Sequence, residues 1–246
     1  MGIHVYALCY NESVLLPHMV AHYRRWLPSC TITVFDNYST DNSREVAASL
    51  GCEVVLLNSG GIMDDRLHAS TKNSVWKDLE RGWVIVIDMD EFLCVTEDDL
   101  RYEDEQGTVV LRTRIADMVG ESQTLDLTDI DIHAIRKYVP GLTDGKRICF
   151  RREKVGEMHY TLGAENCNPH GPGGAHERPL AVSSKHYLLK HFSYIGLPFI
   201  TNKMIKRYER TELMRQHGYA IHYTNNIEAI QADYMDRLRR AVLLDI

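Results

Sequence analysis

The stretch Trp83-Val84-Ile85-Val86-Ile87-Asp88-Met89-Asp90-Glu91-Phe92-Leu93 decides how this chain is read. An apolar run long enough for one buried strand stops abruptly at two carboxylates spaced i, i+2. Residues two apart on a strand point the same way, so Asp88 and Asp90 are expected to converge on one cation. Hard oxygen donors of this kind suit Mg2+ or Mn2+, which proteins hold with one or two carboxylates plus the phosphates of a substrate. The plainer alternative is a pair of solvated charges at a strand end. Glu91 weighs against it, because a third carboxylate adds repulsion that a bound cation relieves. The stretch predicts a metal-bridged, phosphate-bearing substrate at the carboxyl end of a sheet strand.

Upstream, strand-like and helix-like patterns alternate. Residues 3–10 read as a strand, and Asn11-Glu12-Ser13 opens a helix with Leu15, Met19, Tyr23 and Trp26 on one side. Residues 31–35 form a β-branched strand, followed by the loop Asp36-Asn37-Tyr38-Ser39-Thr40-Asp41-Asn42-Ser43 and a short helix over 44–50. A third strand covers 52–57 and a helix runs from about 66 to 81, with Val75, Trp76 and Leu79 inward. This β-α-β-α-β-α-β series predicts an α/β fold: a mostly parallel, doubly wound sheet with helices on both faces.

Downstream the pattern loosens. Glu97-Asp98-Asp99 and Glu103-Asp104-Glu105 read as acidic surface, and strands are expected at 108–115, 147–151 and 187–191. The Gly- and Pro-rich loop at 166–174 is long enough to be functional, and the segment 166–176 is expected to close over a bound ligand and exclude water. Two helices, about 198–217 and 227–244, close the chain. No linker separates independent units, so one domain is expected over residues 1–246, in two halves, 1–95 and 96–246.

Composition narrows the partners. Of 246 residues, 44% are hydrophobic and 25% charged, which is ordinary for a soluble globular protein. A net charge of −6 offers no basic footprint for nucleic acid and no polybasic membrane anchor. No signal peptide and no transmembrane run is read in the sequence, so a cytoplasmic protein is expected. Cys9, Cys30, Cys52, Cys94, Cys149 and Cys167 lack ligand spacing and read as free thiols in a reducing compartment. An acidic protein that handles phosphates must gather its positive charge locally. Lys203, Arg207 and Arg210 do so at i, i+4 and i+7 on one helix face, with Lys206 beside them.

A strand ending in Tyr10-Asn11-Glu12, the DNYSTDNS loop after the second strand and DMDEFL after the fourth together resemble the GT-A glycosyltransferases, and most closely the glycosyltransferase family 2 group. The resemblance is strong over residues 3–95 and thin beyond. It implies the GT-A (nucleotide-diphospho-sugar transferase) fold, Mn2+ or Mg2+, a nucleotide-diphosphate sugar donor and transfer to an acceptor hydroxyl of a glycan or glycoconjugate. A hexosyl- or deoxyhexosyltransferase of inverting course is implied, with UDP as the expected nucleotide and GDP and dTDP as alternatives.

Carried onto this sequence, the resemblance places Tyr10, Asn11, Glu12, Asp36 and Asn37 at the nucleoside. Read alone, Asn11 and Ser43 are helix caps, and Asp36 is as much a turn residue as a ligand. Asp88 would touch sugar or metal, Asp90 the metal, and Glu91 would turn away to anchor the loop. His191 is the expected further metal ligand, with His186 second, and Lys203 and Arg207 would meet the diphosphate. Lys72 and Asn73, with Asp65 and Arg66 near by, would reach the donor or stay on the surface. An inverting enzyme also needs a base for the acceptor's proton. Asp117, after the 108–115 strand, and Glu165, beside the Gly/Pro loop, are the candidates, with His159 and His170 behind them. Two other readings stand beside this one. A nucleotidyltransferase would show a Gly-rich basic loop where Tyr10-Asn11-Glu12-Ser13 stands, and a non-catalytic nucleotide-sugar-binding module would bind donor without turnover.

Overall fold

In the computed structural model, which describes residues 1–57, 65–144, 146–161, 166–174 and 179–245, the strands pair as one ten-stranded sheet. β1 (Ile3–Cys9), β2 (Thr31–Asp36), β3 (Glu53–Leu56) and β4 (Trp83–Asp88) lie parallel in the order β3-β2-β1-β4. The crossovers are α1 (Leu16–Trp26), α2 (Ser43–Ser49) and α3 (Asp65–Ser74). Alternation along β4 explains why both faces need cover. Trp83, Ile85 and Ile87 enter one core with Val5, Ala7, Met19 and Tyr23, while Val84 and Val86 enter a second with Trp76 and Phe150. The fold is thus α/β with a parallel central sheet, as expected.

Sheet growth reverses at β1: β2 and β3 add on one side, β4 on the other. In such sheets the ligand crevice opens beyond the carboxyl ends at that switch point. Here it falls between Tyr10-Asn11-Glu12 and Asp88-Met89-Asp90.

The second half extends this sheet with mostly antiparallel pairings. Its elements are β5 (Glu91–Cys94), α4 (Glu97–Glu105), β6 (Val110–Val119), β7 (Lys137–Thr143), β8 (Cys149–Arg151), β9 (Val182–Tyr194), α5 (Leu197–Arg210), α6 (Glu212–Gln216), α7 (Ile227–Arg240) and β10 (Val242–Leu243). β9 pairs antiparallel with β5 and parallel with β6. Those registers place Glu91, His191 and Asp117 in one row across three strands.

Several elements differ from expectation for local reasons. The 66–81 helix stops at Ser74, where the Trp76 indole N–H donates to the Lys72 carbonyl at 2.9 Å. The 198–217 helix breaks at Thr211, whose Oγ1 donates to the Arg207 carbonyl at 2.7 Å. The last helix ends at Arg240, and β10 follows as an edge strand on β7. The acidic stretch Glu97-Asp98-Asp99 is the first turn of α4, held by a capping box in which Thr96 and Asp99 exchange 3.0 Å hydrogen bonds. Asn11 and Ser43 cap no helix: α1 starts at Leu16, and Asn11 takes a left-handed φ of 52°. The strand at 108–115 runs to Val119, so Asp117 lies within it and not after it. β5, β7 and β10 are strands without an expected counterpart. The six cysteines are free, and among the described residues no helix is long and apolar enough to cross a membrane.

One core residue carries a pH prediction. His22 on α1 is buried, with Nε2 2.9 Å from the Leu93 carbonyl and Nδ1 without a partner. Burial pushes its imidazole down to about 4 from the ordinary 6.5. The folded state therefore keeps it neutral while the unfolded chain takes up a proton below pH 6.5. Stability is full above pH 6.5 and falls by roughly 3 kcal/mol as pH drops to about 4. Urea melts of the His22→Phe variant at pH 7 and pH 4.5 should show a smaller loss than wild type; an equal loss would refute this.

Candidate active site

The crevice at the switch point is a cleft of about 710 Å³. Its floor is built by two motif loops that hold each other. Asn11 Oδ1 accepts from the amides of Thr40 at 2.7 Å and Asp41 at 3.2 Å, while its own amide donates to Ser39 Oγ at 2.9 Å. The Glu12 amide donates to Ser43 Oγ at 2.9 Å, and Asp41 Oδ1 accepts from the Ser43 hydroxyl at 2.6 Å. The left-handed φ of Asn11 turns its side chain across to the second loop, and asparagine tolerates that conformation well. Tyr10, Asn11, Glu12 and Asn37 all line the cleft. Asp36 does not. It is fully buried, and its Oδ1 accepts from the Ser39 amide at 3.0 Å, so it does the turn's work.

The acidic pair divides between two sets of basic side chains. β4 ends at Asp88, so strand alternation does not carry on to Asp90, which sits in the turn before β5. Asp88 Oδ1 lies 3.0 Å from Lys72 Nζ and 3.3 Å from His68 Nε2. Asp90 Oδ2 meets the Lys203 ammonium, accepts from the Ser193 hydroxyl at 2.9 Å and lies 3.2 Å from His191 Nε2. Burial raises both carboxyls, yet Lys72 and His68 hold Asp88, and Lys203 and His191 hold Asp90, well below the ordinary range. Glu91 anchors the loop as expected but does not turn away from the cleft, which it lines: fully buried, it accepts from the Asp88 amide at 2.9 Å and pairs with Lys146. Burial, with Asp90 near by, pushes Glu12 up to about 7.

The opposite wall is α5. Lys203, Lys206, Arg207 and Arg210 all line the cleft, a larger share of the basic stripe than expected. Arg210 stacks on the Tyr10 ring, 3.1 Å from its centroid, and Arg207 Nη1 donates to the Tyr223 hydroxyl at 3.2 Å. His191 reaches this wall from β9. Its Nδ1 lies 2.8 Å from Asp117 Oδ1 and its Nε2 2.8 Å from Ser193 Oγ. Burial opposes its charge, but Asp90 and the bond to Asp117 raise it to about 9.

The remaining expected residues scatter. Asp65 lines the cleft; Arg66 is exposed on α3 and does not. Lys72 touches the site only through Asp88, and Asn73 is occupied with the Tyr160 backbone at 2.9 Å. His186 lies 3.1 Å from Asp144 and lines no part of the cleft. Of the residues read as bases, Asp117 lines the cleft, His159 and His170 meet edge-to-face outside it, and Glu165 lies outside the described residues. The described part of the expected lid, 166–174, is tied to 156–161 by backbone bonds such as His170 to Glu157, 2.8 Å, and does not line the cleft. Sequence reading gave no role to Lys146, His68 or Arg237. Ser193 had one usable signal, its i, i+2 spacing from His191 on a strand.

No family model matches the chain, and no curated protein matches it. Solved structures do. TarS from S. aureus is similar over 96% of this chain and 43% of its own, at 13% identity and a TM-score of 0.47. The mannosyltransferase PcManGT from Pyrobaculum calidifontis, in complex with GDP-Man and Mn2+, is similar over 98% of this chain and 76% of its own, at 12% identity and a TM-score of 0.46. The glucosyl-3-phosphoglycerate synthase from Mycobacterium tuberculosis, in complex with Mn2+, UDP and glucosyl-3-phosphoglycerate, is similar over 46% of this chain and 43% of its own, at 13% identity and a TM-score of 0.33. This chain spans less than half the length of that TarS chain. A likeness so distant leaves the chemistry to be read from the residues themselves.

Proposed function

We propose that this chain is a glycosyltransferase that moves a sugar from a nucleoside-diphosphate sugar to a hydroxyl of a glycan or glycoconjugate. One observation carries the reading: carboxylates at the end of β4 face a wall of four cations across the cleft at the sheet's switch point. A protein of net charge −6 concentrates cations in this way against an anionic ligand. UDP as the nucleotide, a hexosyl or deoxyhexosyl group, and inversion at the anomeric carbon follow from the family that the motifs resemble.

A divalent cation fits the donor set, though not as the side chains stand. Among the described residues, no group of three or more His, Cys, Asp or Glu is gathered to hold a metal ion. The chemistry at Asp90 nevertheless suits one. The Asp117 carboxylate only accepts, so His191 Nδ1 carries the shared proton. The other nitrogen points at Asp90 Oδ2, 3.2 Å away, and its proton and the Lys203 ammonium are what a metal ion would displace there. A cation belongs there, and Lys203 supplies its charge. Asp90, His191 and Asp88 would hold Mn2+ or Mg2+, which when bound neutralises charge on the donor's diphosphate. The protein's own groups do the rest. The interlocked Asn11 and Asp41 loops shape the nucleoside floor, and Lys203, Lys206 and Arg207 stabilise the diphosphate as its bond to the anomeric carbon breaks. Ile115, Leu125 and Leu142 line the same cleft as Asp117 and would meet the acceptor.

The test is a thermal-shift and transfer screen of nucleoside diphosphates and their sugars with Mn2+ and Mg2+. Wild type should be stabilised by a nucleoside diphosphate only when metal is present, and should release that diphosphate when a glycan acceptor is added. Asp90→Asn, which removes the charge and keeps the shape, should lose the metal-dependent shift and at least 100-fold in transfer, on the order of 3 kcal/mol. A wild-type melt that no nucleotide and metal pair moves would sink the reading.

A further inference from the structure

Among the described residues of α7, Arg237 alone lines the cleft. Its guanidinium is fixed from three sides. It packs on the Tyr194 ring 4.2 Å from the centroid, places Nε 3.3 Å from Asp233 Oδ2, and places Nη1 3.5 Å from Asp117 Oδ2. Asp233 is itself held by the Tyr194 hydroxyl at 2.6 Å. The other oxygen of Asp117 takes the imidazole N–H of His191 at 2.8 Å. A continuous chain of contacts therefore runs from the C-terminal helix through Asp117 and His191 to Asp90.

We propose that Arg237 is a positioning residue: by fixing Asp117 it sets the ring of His191, whose Nε2 is offered with Asp90 to the donor's divalent cation. This rests on the metal-dependent reading above. A carboxylate on the far nitrogen of a ligating histidine fixes the ring and makes the near nitrogen more basic, and losing such a partner typically costs about 10–100-fold in metal affinity. Asp117 needs a second anchor to act so. One bond to His191 would leave its carboxylate free to rotate about Cβ–Cγ, and Arg237 supplies the other contact. With both oxygens on cationic groups, Asp117 serves the imidazole and not the acceptor's proton.

A purely structural Arg237 is the alternative, but α7 does not need it to dock. Ile230 and Tyr234 already sit in an apolar cluster with Val119, Val139 and Ile200. The Tyr234 hydroxyl also donates to the Gly120 carbonyl at 2.8 Å.

The experiment is a calorimetric Mn2+ titration without nucleotide on wild type, Arg237→Met and Arg237→Lys. The downfield imidazole Nδ1–H resonance of His191 is recorded on the metal-free proteins, and thermal melts control for folding. Arg237→Met should bind Mn2+ about tenfold more weakly, lose or broaden the resonance and melt within a few degrees of wild type. Arg237→Lys should recover most of both signals. An unchanged resonance and an unchanged Mn2+ affinity in Arg237→Met overturn the proposal. Should wild type take up no Mn2+, the metal reading falls with its half of the proposal. The resonance still decides, in that event, whether Arg237 positions His191.

Discussion

Replacing Lys203 with methionine is expected to move the two parts of donor binding in opposite directions: Mn2+ alone should bind more tightly, and the nucleoside diphosphate more weakly. The Lys203 ammonium sits on Asp90 Oδ2 and 3.1 Å from Ser193 Oγ. It therefore occupies the oxygen that the metal would need. An ammonium and a divalent cation compete for that oxygen, and the variant removes one competitor. Breaking a buried pair typically costs about 3–5 kcal/mol. Here His191 and Ser193 stay on Asp90 and retain part of it, so the metal-free variant should melt lower than wild type. Mn2+ refills the missing charge, which enlarges the metal-induced shift. A tenfold gain in Mn2+ affinity, about 1.4 kcal/mol, is the expected scale. The diphosphate, titrated at saturating Mn2+, loses a charged hydrogen-bond donor worth roughly 1.5–3 kcal/mol. Calorimetry reads both steps on one sample. If Mn2+ affinity fell in Lys203→Met, the ammonium would not be standing in for the metal, and α5 would instead help to build its site.

This exchange shows where the sequence spoke clearly and where it did not. The strands β1 to β4 were legible because each is a short apolar run between polar breaks, and the burial of both β4 faces demanded helices on either side. The site's position followed from which strand ends carry carboxylates and amides. Its partnerships did not. Whether Asp90 faces Asp88 depends on where β4 stops, and DMDEF gives no local signal that the strand ends one residue before the turn. The resemblance carried Asp36 over as a ligand while its loop read equally as a turn; only the fold shows its Oδ1 closing on the Ser39 amide. Lys146 and Arg237 were silent because their partners, Glu91 and Asp117, lie 55 and 120 residues away in the chain, and no periodicity links them. The second half was least legible for a related reason. The pairing of β5, β7 and β10 with β9, β6 and β7 is set by the sheet already in place and not by their own composition.

Gly196→Ala is the substitution expected to damage the fold most for its size, and through the fold the site. Gly196 precedes α5 with an extended φ of 179°, so its backbone angles are open to any residue. Space is the constraint. A Cβ at this position would lie 2.1 Å from the Ser122 carbonyl oxygen, and one at Gly120 would lie 2.4 Å from the Ile195 oxygen. Both obstructions are backbone, so no side chain can rotate away. The two glycines let the end of β6 cross the end of β9 closely enough for the Ser122 amide to donate to the Ile195 carbonyl at 3.1 Å. That crossing fixes where α5 begins, and Lys203 stands two turns further on. An added methyl must push the start of α5 outward, carrying Lys203 and Arg207 off the cleft wall. Overpacking of this kind costs about 3 kcal/mol, read as a lower urea midpoint. The nucleoside-diphosphate affinity should fall with it, while Mn2+ binding to Asp90 and His191, which come from the β4–β5 turn and β9, should fall much less. Wild-type stability in Gly196→Ala would mean that the β6–β9 crossing has slack, and that α5 is placed by its apolar contacts with α7 alone.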